Sequence, residues 1–164
     1  MNWILLIEQT LNGLQLGLLL FLLAAGLTLV FGIMDLVNLA HGSLYMVGAY
    51  FAATFTAWTG SFVFAVVLTL PATLLVGAVV EIVCLRTLYD RDHLDQVLAT
   101  FGLILFFNEL VRLVWGPAGL SVPLPEFLSS SLELAPGLIY PSYRLAIIIA
   151  SLLGTSAILS AKRA

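Results

Sequence analysis

Hydrophobic residues run almost unbroken from residue 2 to residue 31, with Glu8, Gln9, Thr10, Asn12 and Gln15 the polar exceptions near the start. The more purely apolar part, 14–31, matches the ~20 residues needed to cross a hydrocarbon core. The next run, 33–58, is different. Asp35, Asn38, His41 and Ser43 interrupt it at a spacing close to three, and at 100° per residue positions 35, 38 and 42 fall near one helical face. This predicts either a helix with a polar stripe or two short helical pieces broken at Gly42 and Gly48. Asp35 is also placed to serve as a helix N-cap for the residues after it.

A short turn at 59–61 leads into an apolar run at 62–85 that Pro71 should kink. Residues 86–95 form the most charged stretch and belong in water or headgroups, and 96–115 is the next span. Five prolines and three consecutive serines between 116 and 141 predict an extended loop without a long helix. A short last span covers 145–159. The expected fold is therefore all-α: one polytopic transmembrane domain over 1–164, with about four to five membrane segments, one of them (33–58) broken or polar-striped. Gly13 and Gly17 make a GxxxG pair that would let a second helix approach closely.

Composition makes the bilayer the solvent. Of 164 residues 62% are hydrophobic and 9% charged, with a mean hydropathy of +1.13, whereas soluble domains are nearer a quarter charged. The net charge of −3 is small and scattered, and no basic run tracks a phosphate backbone, so nucleic acid is not an expected partner. The single cysteine, Cys84, has no companion for a disulfide or a metal and reads as a small apolar residue. The first apolar stretch lacks a basic start and a small-residue cleavage site, so it is expected to be retained.

Basic residues set the orientation. Arg86 and Arg91 share one connection, and Lys162 and Arg163 follow the last span, whereas the proline-rich loop carries Glu126 and Glu133 with no Lys or Arg before Arg144. The 86–95 connection and the C-terminus are expected on the cytoplasmic side and the proline-rich loop outside. If 33–58 crosses fully, Met1 lies outside; if it re-enters, Met1 lies inside.

Phe31-Gly32-Ile33-Met34, Asn38-Leu39-Ala40-His41-Gly42 and Gly48-Ala49-Tyr50, with a second match at Leu98-Ala99-Thr100-Phe101-Gly102-Leu103 running into Glu109 and Val114-Trp115-Gly116, form a pattern. It resembles that of the permease subunits of branched-chain amino acid ABC transporters fed by a periplasmic binding protein; urea and amide permeases share it. The resemblance covers essentially the whole chain and about the N-terminal half of such a permease, so the coupling loop and C-terminal spans are expected elsewhere. It implies a bacterial inner-membrane importer subunit working by alternating access. Its implied partners are a second permease subunit, cytoplasmic ATP-binding subunits and a periplasmic solute-binding protein.

No Gly-rich phosphate loop with its lysine is present, so ATP hydrolysis is expected from another chain, and neither enzyme chemistry nor a cofactor is expected here. An ATP-independent channel and an inactive truncated subunit remain the rival readings. Asn38, His41, Gly42 and Tyr45 are the candidate pathway residues; Asn38, His41 and Gly42 could equally serve helix packing and backbone satisfaction. No metal is expected at His41, since no second His or Cys lies within helical reach. Glu109 and Arg112, at i and i+3, are expected to form a structural ion pair. Trp3, Trp58 and Trp115 are expected at span ends and Glu81 at an interface.

Overall fold

The structure, a computed structural model, describes residues 3–122, 124–135 and 138–161. Five long helices carry the chain: α1 (Trp3–Met34), α2 (His41–Thr59), α3 (Phe62–Val83), α4 (His93–Trp115) and, after a one-turn α5 (Glu126–Ser129) and two strands, α6 (Ser142–Ala161). A 3-10 turn, Leu85–Leu88, follows α3. Among the described residues three helices are long and apolar enough to cross a membrane, within α1, α3 and α4, and α6 contributes a shorter apolar helix over Ser142–Ser156. Large apolar side chains stand exposed along α1 and α3, such as Leu20, Leu70 and Leu74, as expected where lipid or other helices are the surroundings.

Two compact units form. One comprises Met1–Gly26 and Leu124–Ala164, the other Leu27–Pro123. In the first, β1 (Ser131–Ala135) pairs antiparallel with β2 (Leu138–Pro141), Leu132 opposite Tyr140, with a register shift between Glu133 and Ala135. The stretch expected as a plain extended loop therefore holds an antiparallel strand pair, and Pro141 ends β2, where a missing N–H costs least; Pro123 and Pro136 lie outside the described residues. Tyr140, fully buried, donates its hydroxyl to Asn12 Oδ1 at 3.2 Å, and Arg144 Nη1 donates to the same oxygen. The polar residue near the start of the first apolar run thus has its partners at 140 and 144. A methyl group on Gly154 would lie 3.3 Å from Leu22 Cδ2, so α6 and α1 approach closely there. Gly13 and Gly17 meet no neighbour among the described residues.

In the second unit, Gly60 adopts φ +66° and its N–H closes α2 onto Thr56 C=O at 3.0 Å, so α2 and α3 form a tight helical hairpin. Leu36, Val47, Val80, Leu85, Leu88, Phe107 and Val111 make the core, which joins α2, α3, α4 and the 3-10 turn. Trp115 belongs to this packing rather than standing only at a span end: its ring lies 5.1 Å from Tyr50, and its Nε1–H donates to Thr54 Oγ1 at 2.8 Å. Trp3 and Trp58 are exposed.

Gly42 and Gly48 do not break a helix; both lie inside α2, and the non-helical residues are 35–40. Gly48 serves close approach instead. A methyl group there would lie 3.3 Å from Thr73 Oγ1 on α3. That hydroxyl is buried without a hydrogen-bond partner among the described residues. Replacing it by a methyl group removes a desolvated polar atom at constant shape, so Thr73→Val should be neutral or stabilising by up to about 1 kcal/mol. Thermal unfolding of the purified variant in detergent checks this, and a clear loss of stability would mean that the hydroxyl has a partner.

Candidate functional site

The non-helical stretch 35–40 between α1 and α2 is built from three kinds of support. Its backbone leaves α1 through Asp35, whose N–H still bonds Phe31 C=O at 2.9 Å while its φ is +50°. Asp35 is therefore a residue just past a helix C-terminus and not the N-cap expected from its position. Ala40, without a side-chain cap bond, takes the N-cap place of α2. A left-handed backbone is strained for any residue with a Cβ, least for Asn and Asp. Asp35→Gly should raise stability by about 0.5–1 kcal/mol and Asp35→Val lower it by about 1–2 kcal/mol; denaturant unfolding of the two variants, side by side, reads the difference.

The second support is apolar: Leu36 is fully buried in the core. The third is polar and comes from α4. Gln96, 2% exposed, accepts the Val37 N–H on Oε1 at 3.0 Å. Thr100, one turn further along, sends its hydroxyl proton to Gln96 C=O at 2.7 Å and lies 3.4 Å from Val37 C=O. Asn38, 4% exposed, turns inward and accepts the Ala40 N–H on Oδ1 at 3.0 Å. The bonds to Val37 and Ala40 satisfy backbone groups that no helix serves, and leaving one buried and unpaired costs about 1–3 kcal/mol.

The expected pathway residues separate here. Asn38 is committed to its own backbone. His41 begins α2, half-buried, and its imidazole makes no hydrogen bond to the described residues. Tyr45, one turn on and 64% exposed, shares its face. Gly42 is exposed and open, so it makes no close contact among the described residues. Glu109 and Arg112 form an ion pair at 3.1 Å with both side chains more than half exposed. An exposed pair of this kind contributes little to stability.

Gln96 and Thr100 carry the clamp, and neither stands out as a site in the sequence. The available signal was two polar side chains one turn apart in the first turns of an apolar helix, with an uncapped non-helical stretch elsewhere in need of donors and acceptors. Gln96 also reaches the connection between α3 and α4: its Nε2 donates to Leu88 C=O and Arg91 C=O, each at 3.2 Å. The connection is tied to α3 as well, because Tyr89 Oη donates to Glu81 Oε1 at 3.0 Å. Burial, followed by the hydrogen bond that Tyr89 donates to Glu81, raises the Tyr89 pKa above the ordinary phenol value.

Beside this node an open cleft of about 760 Å³ is lined by Cys84, Leu88, Arg91, Asp95, Leu98 and Phe106, among others. Its walls are mostly apolar, with one charge of each sign. Among the described residues no three His, Cys, Asp or Glu side chains gather as a metal site would require.

Long apolar helices joined at one point by a non-helical stretch, its backbone satisfied by a neighbouring helix, define a multi-pass helical membrane protein. More specifically, the chain belongs to the family of branched-chain amino acid transport system permease components, which it matches over residues 9–161. It is 32% identical over 116 residues to the high-affinity branched-chain amino acid transport system permease protein BraD of Pseudomonas aeruginosa, a match covering 65% of this chain and 38% of that protein. It is 28% identical over 130 residues to the corresponding LivH protein of Escherichia coli, covering 71% of this chain and 41% of LivH. The chain thus spans about two fifths of the length of these curated relatives. No solved structure matches it.

Proposed function

We propose that this chain is the N-terminal part of a permease subunit in an ABC importer for branched-chain or related amino acids, seated in the bacterial inner membrane. The observation that carries the reading is the family match over residues 9–161, joined to the fact that its two quoted motif regions, 31–50 and 98–103, meet in one place through Val37 and Thr100. A second permease subunit, cytoplasmic ATP-binding subunits and a periplasmic solute-binding protein complete the machine, and ATP hydrolysis belongs to those other chains. Solute moves by alternating access, each ligand favouring the state it contacts better.

The clamp also bears on topology. Gln96 joins the 35–40 stretch to Leu88 and Arg91, so that stretch sits level with the charged connection. With the connection cytoplasmic by its arginines, α2 starts from the cytoplasmic side and α3 returns to it. α2, at 19 residues, is about 28 Å long, enough in length to cross, although it is less apolar than the spans within α1, α3 and α4. Three crossings then precede the connection, and α1 starts from the outside; Met1 itself lies outside the described residues. His41 and Tyr45 in this arrangement stand at the cytoplasmic mouth of a pathway.

The test is leucine uptake into proteoliposomes holding the full transporter that contains this chain. Uptake that requires both ATP and the solute-binding protein supports the proposal. Uptake that persists without either overturns it in favour of a passive facilitator.

A further inference from the structure

Gln96 has every hydrogen-bonding position of its amide in use. Oε1 accepts the Val37 N–H at 3.0 Å and faces His93 Nδ1 at 3.3 Å, while Nε2 donates to the Leu88 and Arg91 carbonyls, both at 3.2 Å. An amide has two acceptor lone pairs and two N–H donors, so the set is complete. It also permits only one orientation: the Val37 N–H can only donate, and the two carbonyls can only accept. The side chain is buried, so water cannot replace a partner that moves away.

The consequence is mechanical. The non-helical stretch lies 59 residues before Gln96 in sequence, and the connection carbonyls lie five and eight residues before it. One side chain bridges them. Leu88 and Arg91 also line the cleft, so a displacement of the cleft wall displaces the carbonyls that Gln96 holds. We infer that Gln96 is a positioning residue that couples the connection between α3 and α4 to the 35–40 stretch, so that movement on the cytoplasmic side is carried to the start of α2 and to His41. The consequence for transport rests on the importer reading above; the coupling itself does not.

The test is a double-mutant cycle read by hydrogen exchange of the 36–40 amides in the assembled transporter. Tyr89→Phe keeps the ring but removes the bond to Glu81 and loosens the connection. In the Gln96 background it should raise exchange over 36–40 at least threefold. In the Gln96→Met background exchange starts high, and Tyr89→Phe should add less than 1.5-fold. Equal effects in both backgrounds, or no effect in either, overturn the coupling. Should the Gln96→Met protein fail to assemble, Gln96→Glu, which keeps the shape and the acceptor for Val37, is read in the same cycle.

A transport arm separates coupling from a merely structural role. Gln96→Met should lower solute moved per ATP at least fivefold while basal ATP hydrolysis stays within twofold of the parent; an unchanged ratio overturns the proposal. If the parent transporter shows no ATP-dependent uptake, the importer reading falls, and the exchange cycle still decides the coupling on its own.

Discussion

Leu36→Ala is expected to lower the unfolding free energy by about 2–5 kcal/mol, towards the upper half of that range. Leu36 is fully buried and meets a core that takes residues from α2, α3, α4 and the 3-10 turn. It sits outside any helix, so alanine's helix propensity gives nothing back. The backbone on its C-terminal side is fixed by the Val37–Gln96 and Ala40–Asn38 bonds, which hinders the chain from sliding in to fill the space. A cavity that cannot collapse carries both the lost transfer energy and the lost contacts. Denaturant unfolding in detergent measures the loss, with Leu39→Ala as the companion: Leu39 is 40% exposed, and its truncation should cost less than about 1 kcal/mol. Equal losses at 36 and 39 would show that the stretch is not held by its apolar side.

Gly48→Leu should be the more disruptive change for assembly. The two helices of the α2–α3 hairpin are held close where Gly48 faces Thr73, and even a methyl group there arrives 3.3 Å from Thr73 Oγ1. Three more carbons have no space unless the helices separate. Overpacking typically costs about 1–3 kcal/mol, and the separation also opens the core at Val47, next to Gly48, and Val80, two turns beyond Thr73. Gly48→Ala needs only a few tenths of an ångström from Thr73 and should fall within about 1 kcal/mol of the parent. The measurement is the midpoint of thermal unfolding for Gly48→Ala, Gly48→Leu and Gly48→Leu with Thr73→Ala. Partial recovery in the double variant locates the clash, and no recovery would place it elsewhere.

Hydropathy alone located the apolar helices, because length and continuity of apolar sequence are local properties that the bilayer tests directly. The irregular stretch was legible too, as an accumulation of Asp35, Asn38, His41 and Gly42 in an otherwise apolar run. Its position within that run was not. The expectation of breaks at Gly42 and Gly48 treated glycine as a helix breaker, whereas at 48 it answers to Thr73 on another helix. The clamp was hidden for the same reason: the donor at Val37 and the acceptor at Gln96 are 59 residues apart, and no periodicity connects them. Thr100 belongs to the family pattern, but nothing in that pattern says that its hydroxyl meets Val37. The pairing of β1 with β2 leaves little local signal, because the strands are only five and four residues long, with turn residues and prolines around them in the sequence. The ion pair of Glu109 and Arg112, by contrast, needed only the i, i+3 rule.

The bond between Asn12 and Arg144 spans 132 positions of the chain. At ~5–20 residues per second, a ribosome takes roughly 7–25 s to make what lies between them. Throughout that interval α1 is already available to the membrane with its Asn12 carboxamide unserved by Tyr140 or Arg144. The clasp at Asn12 therefore closes well after α1 itself is made, and only after the second unit has had time to form.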